Sequence, residues 1–157
     1  MRKRVLISKK INLDNVPLFI NKKHADYIFI GNNGTIIVVE ETDRVKSKDI
    51  RQLKETIELI LRDNVIKEWL CDELKRNRIR SEREEIEENL KGGIIHFKRI
   101  GTHENKLIGE LVRRMSKIKV KVFKANCYEQ LNKRLFEIIA YDIRNDGEIK
   151  RSCRFAM

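Results

Sequence analysis

One short stretch limits the possible folds more than any other. Tyr27-Ile28-Phe29-Ile30 is a β-rich run, Gly31-Asn32-Asn33-Gly34 is turn chemistry, and Thr35-Ile36-Ile37-Val38-Val39 is a second β-rich run. An Asn-Gly pair between two such runs predicts a β-hairpin, because both residues tolerate the left-handed backbone that a tight turn demands. The hairpin carries acids at its open end. Asp26 opens the first strand, and Glu40 and Glu41 close the second. With a three-residue loop, Asn32-Asn33-Gly34, Gly31 pairs with Thr35 and Asp26 falls opposite Glu40. With a two-residue loop, Asn33-Gly34, Asp26 falls opposite Glu41. Directly opposed residues share a sheet face, and like charges there repel. Either register stacks two carboxylates, which is unfavourable unless a cation, a lysine or solvent relieves it. Acids at strand ends are also ordinary solvated residues, so the hairpin alone does not establish a site. Two carboxylates are nonetheless what Mg²⁺ takes, with waters and substrate phosphate completing its octahedron. A cation there activates water and stabilises charge on a phosphate under attack.

The rest of the chain supplies helices and further strands. Val5-Leu6-Ile7 reads as a short strand inside a basic segment, 1–23, and Pro17 fits only the first turn of a helix. Ser47 reads as an N-cap, followed by apolar residues at the helical spacing of Ile50, Leu53, Ile57 and Ile60. That pattern continues through Val65, Ile66, Trp69, Leu70 and Leu74, with a break near Asn64, and Trp69 is expected in the core. Ser81 and Glu84 fit a capping box opening an acidic helix that stops at Gly92-Gly93. Ile94-Ile95-His96-Phe97 reads as a strand, and Thr102 caps a helix to about Ser116. Ile118, Val120 and Val122 alternate with Lys119 and Lys121, a half-buried strand with a lysine face. Asn126 and Glu129 open a helix through Ala140, Asn145-Asp146-Gly147 is a turn, and 145–157 is a basic tail. The order is hairpin, long helix, then strand-helix-strand-helix. It implies a single α/β or α+β domain spanning 1–157, with a central mixed sheet flanked by helices.

Charge narrows the partner. The 157 residues carry a formal net charge of +11, and 38% of them are charged. Such an imbalance repels itself, and a polyanion, nucleic acid above all, relieves it. An anionic membrane, an acidic protein or a simple solubility surplus are the alternatives. Glutamine occurs only at Gln52 and Gln130 against many Lys, Glu and Ile, a bias common in thermophile proteins. Aromatics make up 6%, which favours backbone contact with double-stranded DNA over stacking on single strands. Cys71, Cys127 and Cys153 form no CxxC pair and no zinc spacing, and no apolar run reaches a membrane-spanning length. A reduced, cytoplasmic chain with no membrane contact is expected. His24, His96 and His103 match no metal spacing with Cys127 and read as surface or strand-filling residues. The Glu82–Glu88 cluster reads as a solvated helix face. No GxxxxGK[ST], GxGxxG or GxSxG motif occurs, which removes support for nucleotide-dependent and serine-hydrolase chemistry.

The segment from Asp26 to Thr42, DYIFIGNNGTIIVVEET, resembles the core of the PD-(D/E)XK nucleases. It is most similar to archaeal Holliday-junction resolvases and recombination-type exonucleases. The resemblance covers Asp26 to about Leu61. It implies a restriction-endonuclease-like core, with Asp26 and Glu40 binding Mg²⁺ or Mn²⁺ for hydrolysis of DNA. The helix segment Asp49-Ile50-Arg51-Gln52-Leu53 is similar to the Gln-bearing helix of some members, which gives Gln52 a supporting role. The family's lysine, two residues after the Glu, is Thr42 here. In some members the following helix supplies that charge. Lys48 lies four residues before Gln52 on the same helical face and is the candidate, with Lys46 a looser one. The family often has an upstream Glu, where only Asp14 is available here. Relatives of the resolvase type act as dimers, so a homodimer is implied.

The expected function is therefore metal-dependent DNA endonuclease, with Asp26, Glu40, Lys48 and Gln52 as catalytic residues. Arg44, Lys46, Lys119 and Lys121 are expected to contact DNA phosphates, and Arg2 to Lys10 to form a mobile basic arm. The departure at Thr42 keeps a second reading open, a non-catalytic DNA-binding protein on a degenerate nuclease fold. A third is a protein-interaction module whose long helices dimerise.

Overall fold

A computed structural model describes residues 7–115 and 118–124. The basic residues before Ile7, the helix expected over Asn126–Ala140, the Asn145–Gly147 turn and the tail lie outside the described residues.

The hydrophobic run Ile36–Val39 becomes the middle of a five-stranded mixed sheet. The strands are β1 (Ile7–Asn12), β2 (Tyr27–Gly31), β3 (Ile36–Thr42), β4 (Leu90–His96) and β5 (Lys119–Lys124), and they lie in that order. β1, β2 and β3 are antiparallel neighbours, whereas β3, β4 and β5 run parallel. All four residues Ile36, Ile37, Val38 and Val39 have no exposure. That is the expected signature of a strand covered on both faces, and it explains why the sequence shows no alternation there.

Among the described residues four helices flank the sheet: α1 (Ser47–Arg62), α2 (Asn64–Arg76), α3 (Arg83–Asn89) and α4 (Thr102–Arg114). The apolar stripe of α1 (Ile50, Leu53, Ile57, Ile60) joins Ile28, Ile30, Ile36, Val38 and Ile94 in one core. The break expected near Asn64 falls at Asp63. Its carboxylate accepts the N–H groups of Val65 and Ile66 at 2.9 and 3.3 Å and starts α2 as an N-cap. Trp69 is partly buried against the core, with its ring edge-on to Phe19 at 6.0 Å. Pro17 opens a single 3-10 turn, Pro17–Phe19.

Three expectations need correction. The first described strand runs Ile7–Asn12, past the Ile7 expected to end it, and so takes in Lys9 and Lys10 of the expected mobile arm, with Lys9 meeting Glu73 at 2.7 Å; Val5 and Leu6 lie outside the described residues. β1 is an edge strand, and its lysines, which protect an open edge, hide its β character in the sequence. Gly92-Gly93 does not end a helix. Both glycines lie inside β4, which begins at Leu90. A Cβ on Gly92 would sit 2.9 Å from Ile57 Cδ1, so glycine is what lets α1 close onto the strand. The helix starts are also displaced by one residue: Lys46, Glu82 and Gly101 occupy the cap positions ahead of Ser47, Arg83 and Thr102. No helix of the described residues is long and apolar enough to cross a membrane.

Candidate active site

The hairpin takes the three-residue loop. Tyr27 pairs with Val39 and Ile30 with Ile36, and Gly31 N–H donates to the Thr35 carbonyl at 2.9 Å. Gly34 adopts φ +90°, the left-handed position that favours glycine, and donates its N–H to Gly31 O at 3.0 Å. Continued one residue past Tyr27, this register sets Asp26 beside Glu40.

Asp26 is fixed from several sides. Its N–H donates to Val39 O and its carbonyl accepts from Leu13 N–H, both at 3.1 Å. Its Oδ2 accepts the Glu41 N–H at 2.7 Å. One residue earlier, the Ala25 N–H donates to Thr56 Oγ1 at 2.7 Å, and that hydroxyl donates to the Gln52 carbonyl at 2.7 Å. Thr56 therefore latches α1 to the start of β2. Thr56→Val keeps the shape but leaves the buried Ala25 N–H without a partner. The expected loss is about 1–3 kcal/mol, read by denaturant unfolding.

Glu40 is the anomalous residue. It is only 4% exposed, and its buried Oε2 has no hydrogen-bond partner among the described residues. Burial, reinforced by the nearby carboxyls of Asp26 and Asp49, pushes its pKa up to about 9, against a smaller opposing pull from Lys48. Without a cation the group is protonated at neutral pH. Asp49 is a third acid near Glu40, and spacing alone marks it only as a first-turn helix acid. It is also buried, and its Oδ2 is occupied by the Lys46 N–H at 2.8 Å. That bond and the positive end of α1 are what keep an acid comfortable there.

The remaining candidates divide. Lys48 is exposed at the start of α1, and its charge reaches Glu40. Gln52 is half-buried one turn further along, and its carbonyl holds the Thr56 latch. Arg44 and Lys46 are exposed in the turn between β3 and α1. Thr42 donates its hydroxyl to the Arg44 carbonyl at 3.1 Å. Lys119 and Lys121 do not join this group. They pair with Lys91 and Gly93 on β4, whereas Glu40 pairs with Ile94, so the two lysines lie on the opposite sheet face. Glu41 also points to that face, where it accepts the Tyr27 hydroxyl at 2.7 Å. Asp14 is spent on His24, at 3.3 Å from its Nε2.

No group of three or more His, Cys, Asp or Glu side chains that could hold a metal occurs among the described residues. The donor set is the Asp26–Glu40 pair. Two carboxylates are too few for a closed structural site but fit Mg²⁺, which keeps several waters and shares substrate phosphates. The unpartnered Glu40 oxygen is the feature a cation would satisfy. Set against known proteins, the chain matches no family model, no curated protein and no solved structure.

Proposed function

We propose that the chain is a divalent-cation-dependent endonuclease of PD-(D/E)XK type that hydrolyses phosphodiester bonds in double-stranded DNA. The observation that carries this reading is the buried Glu40 Oε2, unpartnered and beside Asp26. Burying a carboxyl without a partner costs free energy, and a second acid alongside adds to the cost. Ionising both members of such a pair costs the chain stability, so a ligand that draws on both carboxylates is the natural reason to keep it. Asp26 and Glu40 would hold Mg²⁺ or Mn²⁺, which supplies charge neutralisation at the phosphate and a lowered pKa for water.

The chain's own residues then have separate tasks. Asp26, tied by backbone bonds and by Glu41 N–H, keeps one acceptor oxygen fixed. Glu40 would give up its proton to hold the cation as a carboxylate. Lys48 steadies charge on the phosphate from the first turn of α1, with Gln52 in support on the same helical face. Arg44 and Lys46 contact phosphates beside the acids, and the net charge of +11 draws the polyanion in. A homodimer in a reducing cytoplasm is the setting this reading implies.

Thr42 supports a second reading, a DNA-binding protein on a degenerate nuclease fold. Its hydroxyl is neutral and committed to Arg44 O. The two readings part in one experiment. Linear, circular and branched DNA are incubated with Mg²⁺ or Mn²⁺ and either the natural chain or Glu40→Ala. The nuclease reading expects cleavage that falls on the order of 10²–10³-fold in the variant. Cleavage unchanged in the variant would rule out this site. Salt-sensitive DNA binding with neither cleavage nor cation uptake would favour the second reading.

A further inference from the structure

His96 closes β4 one row beyond Glu40. Glu40 pairs with Ile94 and Thr42 with His96, while His96 pairs with Lys124 on β5. Side chains alternate along a strand, so Glu40, Thr42 and His96 share the sheet face that α1 covers. One strand over and two residues along corresponds to about 8 Å between the Cα atoms of Glu40 and His96. This is also the carboxyl end of the three parallel strands, where α1 and α4 begin, the usual place for a ligand in such sheets.

The ring is held in one state. His96 is 5% exposed, and its Nδ1 lies 2.7 Å from the Lys98 carbonyl. A carbonyl oxygen only accepts, so Nδ1 carries the hydrogen and Nε2 carries the lone pair. The Lys98 carbonyl does not drift, because the N–H groups of Phe97 and Lys98 both donate to Asp43 O, at 3.0 and 2.8 Å. The Lys98 amine also meets Asp43 Oδ2 at 3.1 Å. This clamp joins the turn after β4 to the turn that leads into α1. Burial, helped by Lys124 and resisted by the Lys98 carbonyl, holds the imidazole below its ordinary pKa. The charged groups around it are Lys124 on β5 and the Lys98–Asp43 pair in the turns, with the protonated Glu40 carboxyl one strand over on β3. A neutral, oriented imidazole at a strand end is more than strand filling requires.

We infer that His96 is a further catalytic residue of this site, its Nε2 accepting the proton of the attacking water. The inference rests on the phosphodiesterase reading above. In that step the water oxygen bonds to phosphorus and its proton passes to Nε2. The bond from phosphorus to the leaving sugar oxygen breaks, that oxygen takes a proton from solvent, and the imidazolium later returns its proton to solvent. Lys124 disfavours a lasting imidazolium and so aids this return.

The test uses His96→Asn in the full chain. Asparagine keeps an N–H donor at the Nδ1 position and so preserves the clamp, but it offers nothing at Nε2. With duplex DNA and Mn²⁺ held saturating at every pH, so that Glu40 ionisation drops out, kcat should fall about 10²–10⁴-fold with KM little changed, and the remaining acid limb of the kcat–pH profile should disappear. Independently of turnover, the imidazole ¹⁵N spectrum should show the Nδ1–H tautomer at pH 7. Its Nε2 signal should move when a phosphorothioate duplex is added with Ca²⁺. If Glu40→Ala abolishes cleavage while His96→Asn cleaves like the natural chain, or if Nε2 is indifferent to the duplex, this inference is overturned and the reading of the acids stands. A natural chain that cleaves no DNA overturns both.

Discussion

Replacing Glu40 with glutamine is expected to make the cation-free protein more stable at neutral pH, by about 3 kcal/mol. The direction follows from linkage. The carboxyl titrates near 4.5 when exposed and at about 9 in the folded chain. Between those values the folded state binds more protons than the unfolded one. The favourable contribution of the protonated group is therefore complete below pH 4.5 and is lost as pH rises toward 9. Each pH unit in that window costs up to ~1.4 kcal/mol. Glutamine is nearly isosteric, has no proton to lose and leaves Asp26 with a neutral neighbour. Denaturant melts at pH 4, 6 and 8 should show a natural chain that weakens with pH and a Glu40→Gln chain that does not, the two converging at pH 4. Parallel curves at all three values would mean that Glu40 is not held protonated by its surroundings.

The same linkage governs the cation. A divalent ion competes with the proton on the Asp26–Glu40 pair, so its binding must expel close to one proton below pH 9. Affinity should rise roughly tenfold per pH unit over that range, since one pKa unit corresponds to a factor of ten. Asp26→Asn and Glu40→Gln should each weaken binding on the order of 100-fold. The cation should also abolish the pH-dependent loss of stability, because it stabilises the ionised pair only in the folded chain. Glu40→Gln would thus be the more stable protein without the ion and the less stable one with it.

The hairpin was legible because its turn chemistry and acids are local. Asn32-Asn33-Gly34 left two registers open, and the left-handed Gly34 selects the one that brings Asp26 beside Glu40. Asp49 was not legible as a neighbour of Glu40. A first-turn acid looks like dipole complementation in any helix, and only the packing of α1 onto β3 and β4 buries it. The lysine face of β5 was readable as a face, yet which side of the sheet it joins depends on its pairing with β4. That pairing has no local signal. The glycines of β4 illustrate the same limit: Gly92-Gly93 carries the chemistry of a helix stop, whereas in the fold Gly92 lies where the Ile57 side chain of α1 packs onto the strand. His96 was expected as a strand-filling residue, which describes its place but not its fixed tautomer, since the Lys98 carbonyl is aimed by Asp43 across a turn.

Calorimetric titration of Mn²⁺ at pH 7, in two buffers of different ionisation enthalpy, tests the site most directly. A cation held by Asp26 and Glu40 requires saturable binding to the natural chain with release of about one proton, and binding to Glu40→Gln weakened on the order of 100-fold with no proton released. Binding that Glu40→Gln leaves unchanged, or no binding to either chain, would contradict it.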